Sequence, residues 1–253
     1  MLDDLARIAA EAGRIADSRC GTDFKRWEKT PGSPVCDVDL EVDAFLRERL
    51  TTLDPRAGWL SEETLDQSDR MERRRLWVVD PIDGTRDYLR QRTGWCVSVA
   101  LVEDRVPVLG ALSAPQRGEL WTAERGRGAW RNGERLSVSR RSVLAGARVP
   151  AEQLAAVDSD LVPVPRPNSI ALRIALVAAG EADLVATLRW GFEWDIAAAA
   201  LIAEEAGATV SGVLGQPLAF NTASGEAFGV LVATPGIHAA AVERLRERAM
   251  AVV

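Results

Sequence analysis

The amino-acid sequence predicts an α+β/α/β protein, in which an N-terminal antiparallel sheet with two helices is followed by a smaller mixed α/β half. The first half combines helix-period segments with short β-alternating runs that Gly and Pro turns separate. The second half alternates helical and strand-like segments. A poorly patterned, proline-containing stretch lies between them at residues 139–167. We therefore expect an N-terminal α+β part over residues 1–140 and a C-terminal α/β part over residues 141–253.

Composition excludes several classes of protein. The chain has 253 residues, 47% of them hydrophobic and 27% charged, as in ordinary globular proteins. A net charge of −6 without a long basic run gives no electrostatic support for binding a nucleic-acid polymer. Three widely spaced cysteines indicate a reducing compartment rather than a disulfide framework. The N-terminus is acidic where a signal peptide would be basic, and no apolar run approaches the ~20 residues of a membrane span. We expect a cytoplasmic protein without a membrane segment.

The N-terminal helices and connections follow from spacing. Residues 2–19 carry apolar side chains at helical intervals and predict an amphipathic helix. Residues 21–35 contain several Gly and Pro residues and predict a loop or hairpin. A second helix has its apolar face between Val42 and Leu50. A short strand, Trp59–Leu60, follows it, and the charged residues 66–75 predict an exposed loop or helix end, with a mobile lid as the alternative.

The sheet of the first half is predicted from three alternating runs and one turn. The runs are Trp95–Val102, Val106–Ala111 and Glu119–Ala123. Asn132-Gly133 predicts a hairpin directly after them.

The second half predicts two helices around further strands. One helix covers Asn168–Ala179 and ends at Gly180, and a strand covers Asp183–Leu188. A strong helix former follows Asp195 and ends at Gly207. The remaining segments read as two stretches of sheet and a covering helix: Ala208–Val210, Phe228–Ala233 and the residues from Gly236 onward. The single histidine, His238, lies in that last helix, where no motif surrounds it and a solvent-facing position is expected.

The chemistry-bearing stretch of the chain is Leu76–Thr85. Four apolar residues lead into Asp80 and predict a buried strand that stops at Pro81, which cannot donate to a ladder. Asp83 follows, and Gly84 allows a turn. Two carboxylates on a tight turn beside a hydroxyl suit a hard cation, so magnesium, calcium or manganese is favoured over zinc. The alternative is an Asp-rich surface turn that caps a helix.

This stretch also carries a family resemblance. Asp80-Pro81-Ile82-Asp83-Gly84-Thr85 resembles the metal-binding signature of the inositol monophosphatase family, and the Gly-Arg-Gly-Ala stretch at 126–129 with its following Asn-Gly is similar to another family element. The family comprises magnesium-dependent, lithium-sensitive phosphomonoesterases, including 3′(2′),5′-bisphosphate nucleotidases and some fructose-bisphosphatases. The resemblance implies a layered αβαβα sandwich, two or three Mg²⁺ ions, a small phosphorylated metabolite as substrate, and a homodimer.

The resemblance also implies a set of metal ligands. Glu62, Asp80 and the Ile82 carbonyl would hold one magnesium ion, and Asp80, Asp83 and Asp195 a second. Glu62 belongs to a Ser-Glu-Glu stretch where the family has Gly-Glu-Glu; by itself such a pair is usually a solvated surface pair. Asp195 follows a tryptophan, as in the family's Trp-Asp element, and its alternative role is to cap the helix that it begins.

The implied catalytic residues are Thr85, Asp39 and Glu62. Thr85, supported by Asp39, would orient and deprotonate the attacking water, and the backbone N–H groups of Gly84 and Thr85 would receive the phosphate. Asp39 also suits the first turn of a helix through the helix dipole, which accounts for it without catalysis. Cys36 replaces the threonine that the family carries before this acid, which puts in question the hydrogen bond that a hydroxyl would make to Asp39.

The substrate is less defined. Leu188 and Phe192 stand where inositol monophosphatases place an acid and a histidine, which weakens recognition of a polyol. The segment from Phe192 to Ala198 resembles bisphosphate nucleotidases, and Trp190 or Phe192 would stack on a base; the alternative is that both are core or rim aromatics. Asp195 is expected to contact the substrate as well. The candidates are a bisphosphate nucleotide or inositol monophosphate, then fructose 1,6-bisphosphate or another sugar phosphate. A non-catalytic metal- or phosphate-binding module is the rival class, and it would not need Thr85.

Overall fold

The computed structural model describes residues 1–30, 33–66 and 68–252. Helices and strands in the N-terminal part are α1 (Leu2–Arg19), β1 (Arg26–Thr30), β2 (Ser33–Cys36), α2 (Asp37–Leu53), β3 (Gly58–Ser61), β4 (Arg75–Asp83), α3 (Thr85–Leu89), β5 (Cys96–Glu103), β6 (Val106–Ala114), β7 (Glu119–Glu124), β8 (Gly128–Arg131) and β9 (Glu134–Arg135). Those in the C-terminal part are β10 (Arg148–Pro150), β11 (Val162–Val164), α4 (Ile170–Ala178), β12 (Leu184–Ala186), β13 (Trp190–Phe192), α5 (Glu193–Glu205), β14 (Thr209–Ser211), β15 (Glu226–Phe228), β16 (Leu231–Ala233) and α6 (Pro235–Met250).

These elements form five layers. The central sheet has seven strands in the order β3-β4-β5-β6-β7-β8-β9. Helices α1 and α2 pack on one of its faces, and α4 and α5 pack on the other. A three-stranded sheet, β12-β16-β14, lies beyond α4 and α5, and α6 covers it. The layered αβαβα sandwich is therefore confirmed.

The buried strand β4 explains how one apolar run serves two cores. Trp77 and Val79 point into the core under α1 and α2. Leu76 and Val78 point into the core under α4 and α5. Because successive side chains alternate between the faces of a sheet, a strand that helices cover on both sides needs a continuous apolar sequence.

Several details of the sheet differ from expectation. Strand β4 continues through Asp83 instead of stopping at Asp80, because the chain resumes pairing with β5 at Asp83 and Cys96 after an irregular interval. The short strand β3 pairs with β4 in parallel, so the sheet is not wholly antiparallel.

The predicted hairpin before α2 is present as antiparallel β1 and β2, although its Pro31 and Gly32 lie outside the described residues.

Two side chains that were expected at the surface are instead partly or fully buried and form hydrogen bonds within the protein. Arg70 lies in a short 3₁₀ helix, Ser68–Glu72, within the stretch predicted to be an exposed loop, yet only 1% of it is exposed. Its guanidinium donates to the Asn221 side chain at 2.6 Å and to the Thr222 carbonyl at 2.9 Å, so it joins the two halves of the chain. His238 is half-buried, with Nε2 2.9 Å from Ser211 Oγ, rather than facing solvent.

Across the residues that the structure describes, no helix combines the length and the apolar character that crossing a membrane requires.

Candidate active site

The end of β4 positions two carboxylates and one carbonyl. Asp80 is fully enclosed, and its Oδ1 accepts a hydrogen bond from the Ile82 N–H at 2.9 Å. Asp83 is also buried, opposite Cys96 of β5. Pairing between β4 and β5 is irregular from Asp80 to Asp83, so the strand bends where the two acids occur. The bend leaves both acids near the same strand end.

A glycine is required directly after this strand. Gly84 has a φ of 96°, in the left-handed region, and α3 begins at the next residue. A Cβ atom on Gly84 would lie 2.7 Å from the Gly94 carbonyl oxygen and 2.9 Å from the Ser169 nitrogen. This close approach brings Thr85 back toward the strand, where its Oγ donates to the Ile82 carbonyl at 3.0 Å.

The neighbouring strand β3 delivers Glu62. Because β3 and β4 run in parallel, their carboxyl ends meet at one edge of the sheet, and the Glu62 N–H donates to the Val79 carbonyl at 3.3 Å. Lys29 of β1 reaches over this edge: its Nζ lies 3.1 Å from the Glu62 carbonyl oxygen and 2.5 Å from Glu63 Oε1. Lys29 Nζ also lies 3.4 Å from Glu62 Oε1. Sequence reasoning missed Lys29, since no local motif links it to Glu62.

Asp195 arrives from the other half of the chain. It lies in the first turn of α5, and its Oδ2 accepts a hydrogen bond from the Phe192 N–H at 3.3 Å. The predicted capping interaction is therefore present. It engages one carboxylate oxygen and leaves Oδ1 for another partner.

All of the predicted metal ligands line one polar cavity of about 230 Å³. The predicted site residues in its lining are Glu62, Asp80, Ile82, Asp83, Gly84, Thr85 and Asp195. Four arginines that the sequence did not single out, Arg86, Arg166, Arg173 and Arg189, line it as well. The cavity lies where the N-terminal and C-terminal parts of the chain meet.

The carboxylates in this cavity repel one another. Burial raises the pKa of Asp80 well above its usual value, and the charges of Glu62, Asp83 and Asp195 raise it further. Burial likewise raises the pKa of Asp195, with Asp83 and Glu62 as the next contributors. Burial also raises the pKa of Asp83 to about 6, although hydrogen bonds from Ser169 and Ala171 oppose the shift. Such crowded, buried acids favour a bound cation.

The donor set fits a hard divalent cation in its chemistry. It consists of four carboxylates and one carbonyl, which are oxygen ligands. Within the described residues, no three acidic, histidine or cysteine side chains already converge closely enough to hold an ion. Asp83 instead accepts hydrogen bonds at the start of α4, from Ser169 Oγ at 2.5 Å and from the Ala171 N–H at 2.8 Å. Binding an ion therefore requires these carboxylates to move closer together.

Asp39 is held apart from the cavity lining by Cys36. Its Oδ2 accepts hydrogen bonds from the Cys36 N–H at 2.8 Å and from the Cys36 thiol, with Sγ at 2.9 Å. Burial, helped by the charge of Asp39, raises the pKa of the thiol far above its ordinary value, so the thiol stays a neutral donor. The thiol thus replaces the hydroxyl donor expected from a threonine. Among the described residues, Asp39 makes no hydrogen bond to Thr85, so the predicted support of Thr85 is not a direct contact.

The aromatic residues lie at the rim of the site. Trp190 is 58% exposed, packs edge-on against Phe228 with ring centroids 5.4 Å apart, and does not line the acidic cavity. Phe192 is 41% exposed and stacks on Trp194, with the ring planes 9° apart. Both side chains are partly exposed, and stacking on a substrate stays a prediction.

The layered sandwich carries an oxygen-lined cavity between its halves, and the family and neighbours of the chain indicate a phosphatase. Residues 2–252 match the model of the inositol monophosphatase family, and the chain belongs to that family. Members of the family are generally metal-dependent.

Relatives at similar distances carry different activities in their names. The 3′(2′),5′-bisphosphate nucleotidase CysQ of Aggregatibacter actinomycetemcomitans is 31% identical over 235 residues, which cover 87% of each chain. The histidinol-phosphatase of Mycobacterium tuberculosis is 32% identical over 247 residues, 91% of each chain. The solved structure of an IMPase from Thermotoga maritima has a TM-score of 0.84 at 26% identity and covers 100% of this chain and 99% of that one. Overall similarity therefore defines the fold and the family, indicates a phosphatase, and leaves the substrate open.

Proposed function

We propose that the protein is a Mg²⁺-dependent phosphomonoester hydrolase that releases inorganic phosphate from a small phosphorylated metabolite. The candidate substrates are a 3′(2′),5′-bisphosphate nucleotide and inositol monophosphate. One observation carries the proposal: Glu62, Asp80, Asp83 and Asp195 come from both halves of the chain and line one cavity together with Thr85. If these acids served only as helix caps or surface groups, nothing would offset the repulsion between their negative charges when they lie together.

The four carboxylates and the Ile82 carbonyl would hold two or three Mg²⁺ ions. When bound, these ions would lower the pKa of coordinated water and neutralise charge on the phosphate and the leaving oxygen. The Lys29 ammonium lies beside Glu62, so a cation that binds Glu62 must either displace Lys29 or share the carboxylate with it.

The protein's own residues would orient the reactants. Thr85 Oγ, fixed by its hydrogen bond to the Ile82 carbonyl, would position the attacking water. The N–H groups of Gly84 and Thr85 stand at the beginning of α3, where helical N–H groups have no helical acceptor, and would hold phosphate oxygens. Asp39 would support the site indirectly, through the hydrogen bonds that it accepts from Cys36 at the start of α2. Among the described residues that line the cavity there is no histidine, cysteine or serine nucleophile, which favours direct attack by water.

The proposal includes two further expectations. A homodimer is supported by the family resemblance, and a mass measurement in solution at micromolar concentration tests it. A cytoplasmic location is supported by three free cysteines, and cell fractionation tests it.

The direct test is phosphate release with and without Mg²⁺. The substrate panel should contain inositol 1-phosphate, adenosine 3′,5′-bisphosphate, fructose 1,6-bisphosphate and a nucleoside monophosphate. Wild type should release phosphate from at least one of them only with the metal, and Thr85→Ala, purified identically, controls for a contaminating phosphatase. Release from none of the panel would favour a non-catalytic metal- or phosphate-binding module. Preference for fructose 1,6-bisphosphate would favour a sugar phosphatase instead.

A further inference from the structure

The acidic cavity adjoins a second cavity of about 490 Å³. Only three of the described residues line both cavities, and all three are arginines: Arg166, Arg173 and Arg189. They come from the segment before α4, from α4 itself and from the segment before β13. Three separate parts of the chain thus place an arginine on the boundary between the two cavities.

The second cavity has a different chemical character from the first. Leucines form much of its wall, including Leu144, Leu154, Leu161 and Leu188. Leu188 is one of the positions where an inositol-type site would need a polar group. Such a wall offers no hydrogen-bond partner to a polyol but accommodates an apolar or planar group.

The three guanidinium groups are not paired with the carboxylates of the acidic cavity. Arg173, 7% exposed, donates to the backbone carbonyls of Pro167, at 2.8 Å, and Asn168. Arg166 lies 3.5 Å from Glu152, a side chain that is 80% exposed. Among the described residues, Arg189 has no hydrogen-bond or ion-pair partner for its side chain. Their charge is therefore available to a ligand.

The arginines also repel one another. Burial lowers the pKa of Arg173 to about 10, and the charges of Arg166 and Arg189 contribute, while Asp83 opposes the shift. The rival explanation is that these arginines only balance the acidic cluster from a distance, as the effect of Arg189 on the pKa of Asp195 indicates. Charge balance alone does not explain why three arginines border both cavities without contacting the acidic side chains.

We infer that Arg166, Arg173 and Arg189 form a subsite for a second anionic group on the substrate, whose apolar or planar body occupies the leucine-lined cavity. The inference rests on the proposed function only for the first phosphate, which would lie among the carboxylates. The substrate class is then a phosphate monoester that carries another phosphate, sulfate or carboxylate, and a polyol with a single phosphate is disfavoured. Guanidinium groups suit this role because they donate in a planar fork that matches such anions.

The test compares two substrates that differ only in the second phosphate, adenosine 3′,5′-bisphosphate and adenosine 3′-monophosphate. Arg166→Gln and Arg189→Gln change exposed side chains, so both variants should fold. Arg246→Gln is the matched control, because Arg246 is an exposed residue of α6 that lines neither cavity and pairs with Glu243 at 3.2 Å. Turnover is measured with Mg²⁺, and equilibrium binding is measured by calorimetry with Ca²⁺ in its place.

Wild type should favour the bisphosphate by at least about 10-fold in kcat/KM and in Kd. Each of the two arginine variants should lose about 10- to 100-fold of kcat/KM for the bisphosphate, since one charge-assisted hydrogen bond is worth ~1.5–3 kcal/mol. The monophosphate should change less than about 3-fold by the same reasoning, and Arg246→Gln should change neither.

Equal binding of the two nucleotides by wild type, or equal losses for both nucleotides in Arg189→Gln, would overturn the subsite. Preferential binding of the bisphosphate without turnover of any substrate would support the subsite and contradict the proposed hydrolase. The two failures are therefore distinguishable.

Discussion

The carboxylate cluster and the arginine cluster lie in the same cleft but differ in how much of each is built locally. Asp80 and Asp83 are buried, occur three residues apart, and owe their positions to one irregular strand end. Arg166 and Arg189 are exposed and, with Arg173, come from three separate segments of the C-terminal part. Local chain geometry places Asp80 and Asp83 together, whereas tertiary packing adds Glu62 and Asp195 and assembles all three arginines. The centre of a reaction site can therefore be local, while the groups that select a substrate depend on the packing of particular segments.

In each cluster, side chains of like charge lie close together, and their direct partners do not neutralise all of that charge. A folded chain tolerates such repulsion where ligands of opposite charge compensate for it. Cations would relieve the carboxylates, and an anionic substrate group would relieve the arginines. The predictions below separate these two roles, beginning with the largest expected effect.

Metal removal should abolish activity altogether. Excess chelator leaves the acids without the cations that the reaction needs, so phosphate release should fall to background and return when Mg²⁺ is added. Lithium and calcium should inhibit, as the family resemblance implies. Steady-state rates over a magnesium titration provide the measurement. Full activity in excess chelator would contradict the role given to the carboxylates.

Thr85→Ala should reduce turnover while metal binding persists. The substitution leaves every carboxylate in place and removes only the hydroxyl that donates to the Ile82 carbonyl. A positioned proton acceptor contributes ~10²–10⁴-fold, so a low but measurable rate should remain. Calorimetry with Mg²⁺ and single-turnover kinetics measure the two quantities. Loss of metal affinity, or wild-type turnover, would show that Thr85 has another role.

Asp183 provides a contrasting carboxylate that is fully paired. It is 1% exposed and accepts hydrogen bonds from Arg148 Nη2 at 2.7 Å and from the Arg148 N–H at 2.8 Å. Burial alone would raise the pKa of Asp183, but the hydrogen bonds from Arg148 and Ser139 outweigh it and lower the pKa to about 2.

Asp183→Asn should lower the free energy of unfolding by about 2 kcal/mol near neutral pH. Because the folded-state pKa is depressed, this stabilisation is present above the unfolded pKa of ~3.9 and is lost as pH falls toward 2. The difference between wild type and variant should therefore shrink between about pH 5 and pH 2. Denaturant unfolding at several pH values measures it, and a difference that stays constant with pH would refute the pairing.

Asp80→Asn should have the opposite and smaller effect on stability. It removes one charge from a group of mutually repelling acids, keeps an oxygen for the Ile82 N–H, and should stabilise the metal-free protein. Activity should be lost nonetheless, because a neutral amide is a weaker ligand for a hard cation. Thermal unfolding in chelator, with Asp183→Asn as the matched control, gives the comparison. A lower midpoint for Asp80→Asn would show that the acids do not repel in the folded state.

The sequence was most informative where structure depends on neighbouring residues. The helix spacing of residues 2–19, the Asn-Gly hairpin and the run from Leu76 to Thr85 predicted their elements and the cluster of oxygen donors. The strand end at Asp80 was predicted wrongly, because pairing with β5 outweighs the local effect of Pro81.

Long-range contacts were largely invisible in the sequence. Lys29 reaches Glu62 through a hairpin, and Arg70 is buried by residues near Asn221 that are far away in the chain. Neither contact has a sequence motif. The same is true of the three arginines, which look like ordinary surface charges until packing brings them to one boundary.

A crystal structure of Thr85→Ala with Mg²⁺ and adenosine 3′,5′-bisphosphate tests most directly whether one substrate spans both clusters. The account predicts the 3′-phosphate among Glu62, Asp80 and Asp195, with bound magnesium. It predicts the 5′-phosphate in contact with Arg189 and its two neighbouring arginines, and the base against the leucine-lined wall. A 5′-phosphate that extends into solvent, away from all three arginines, would contradict it.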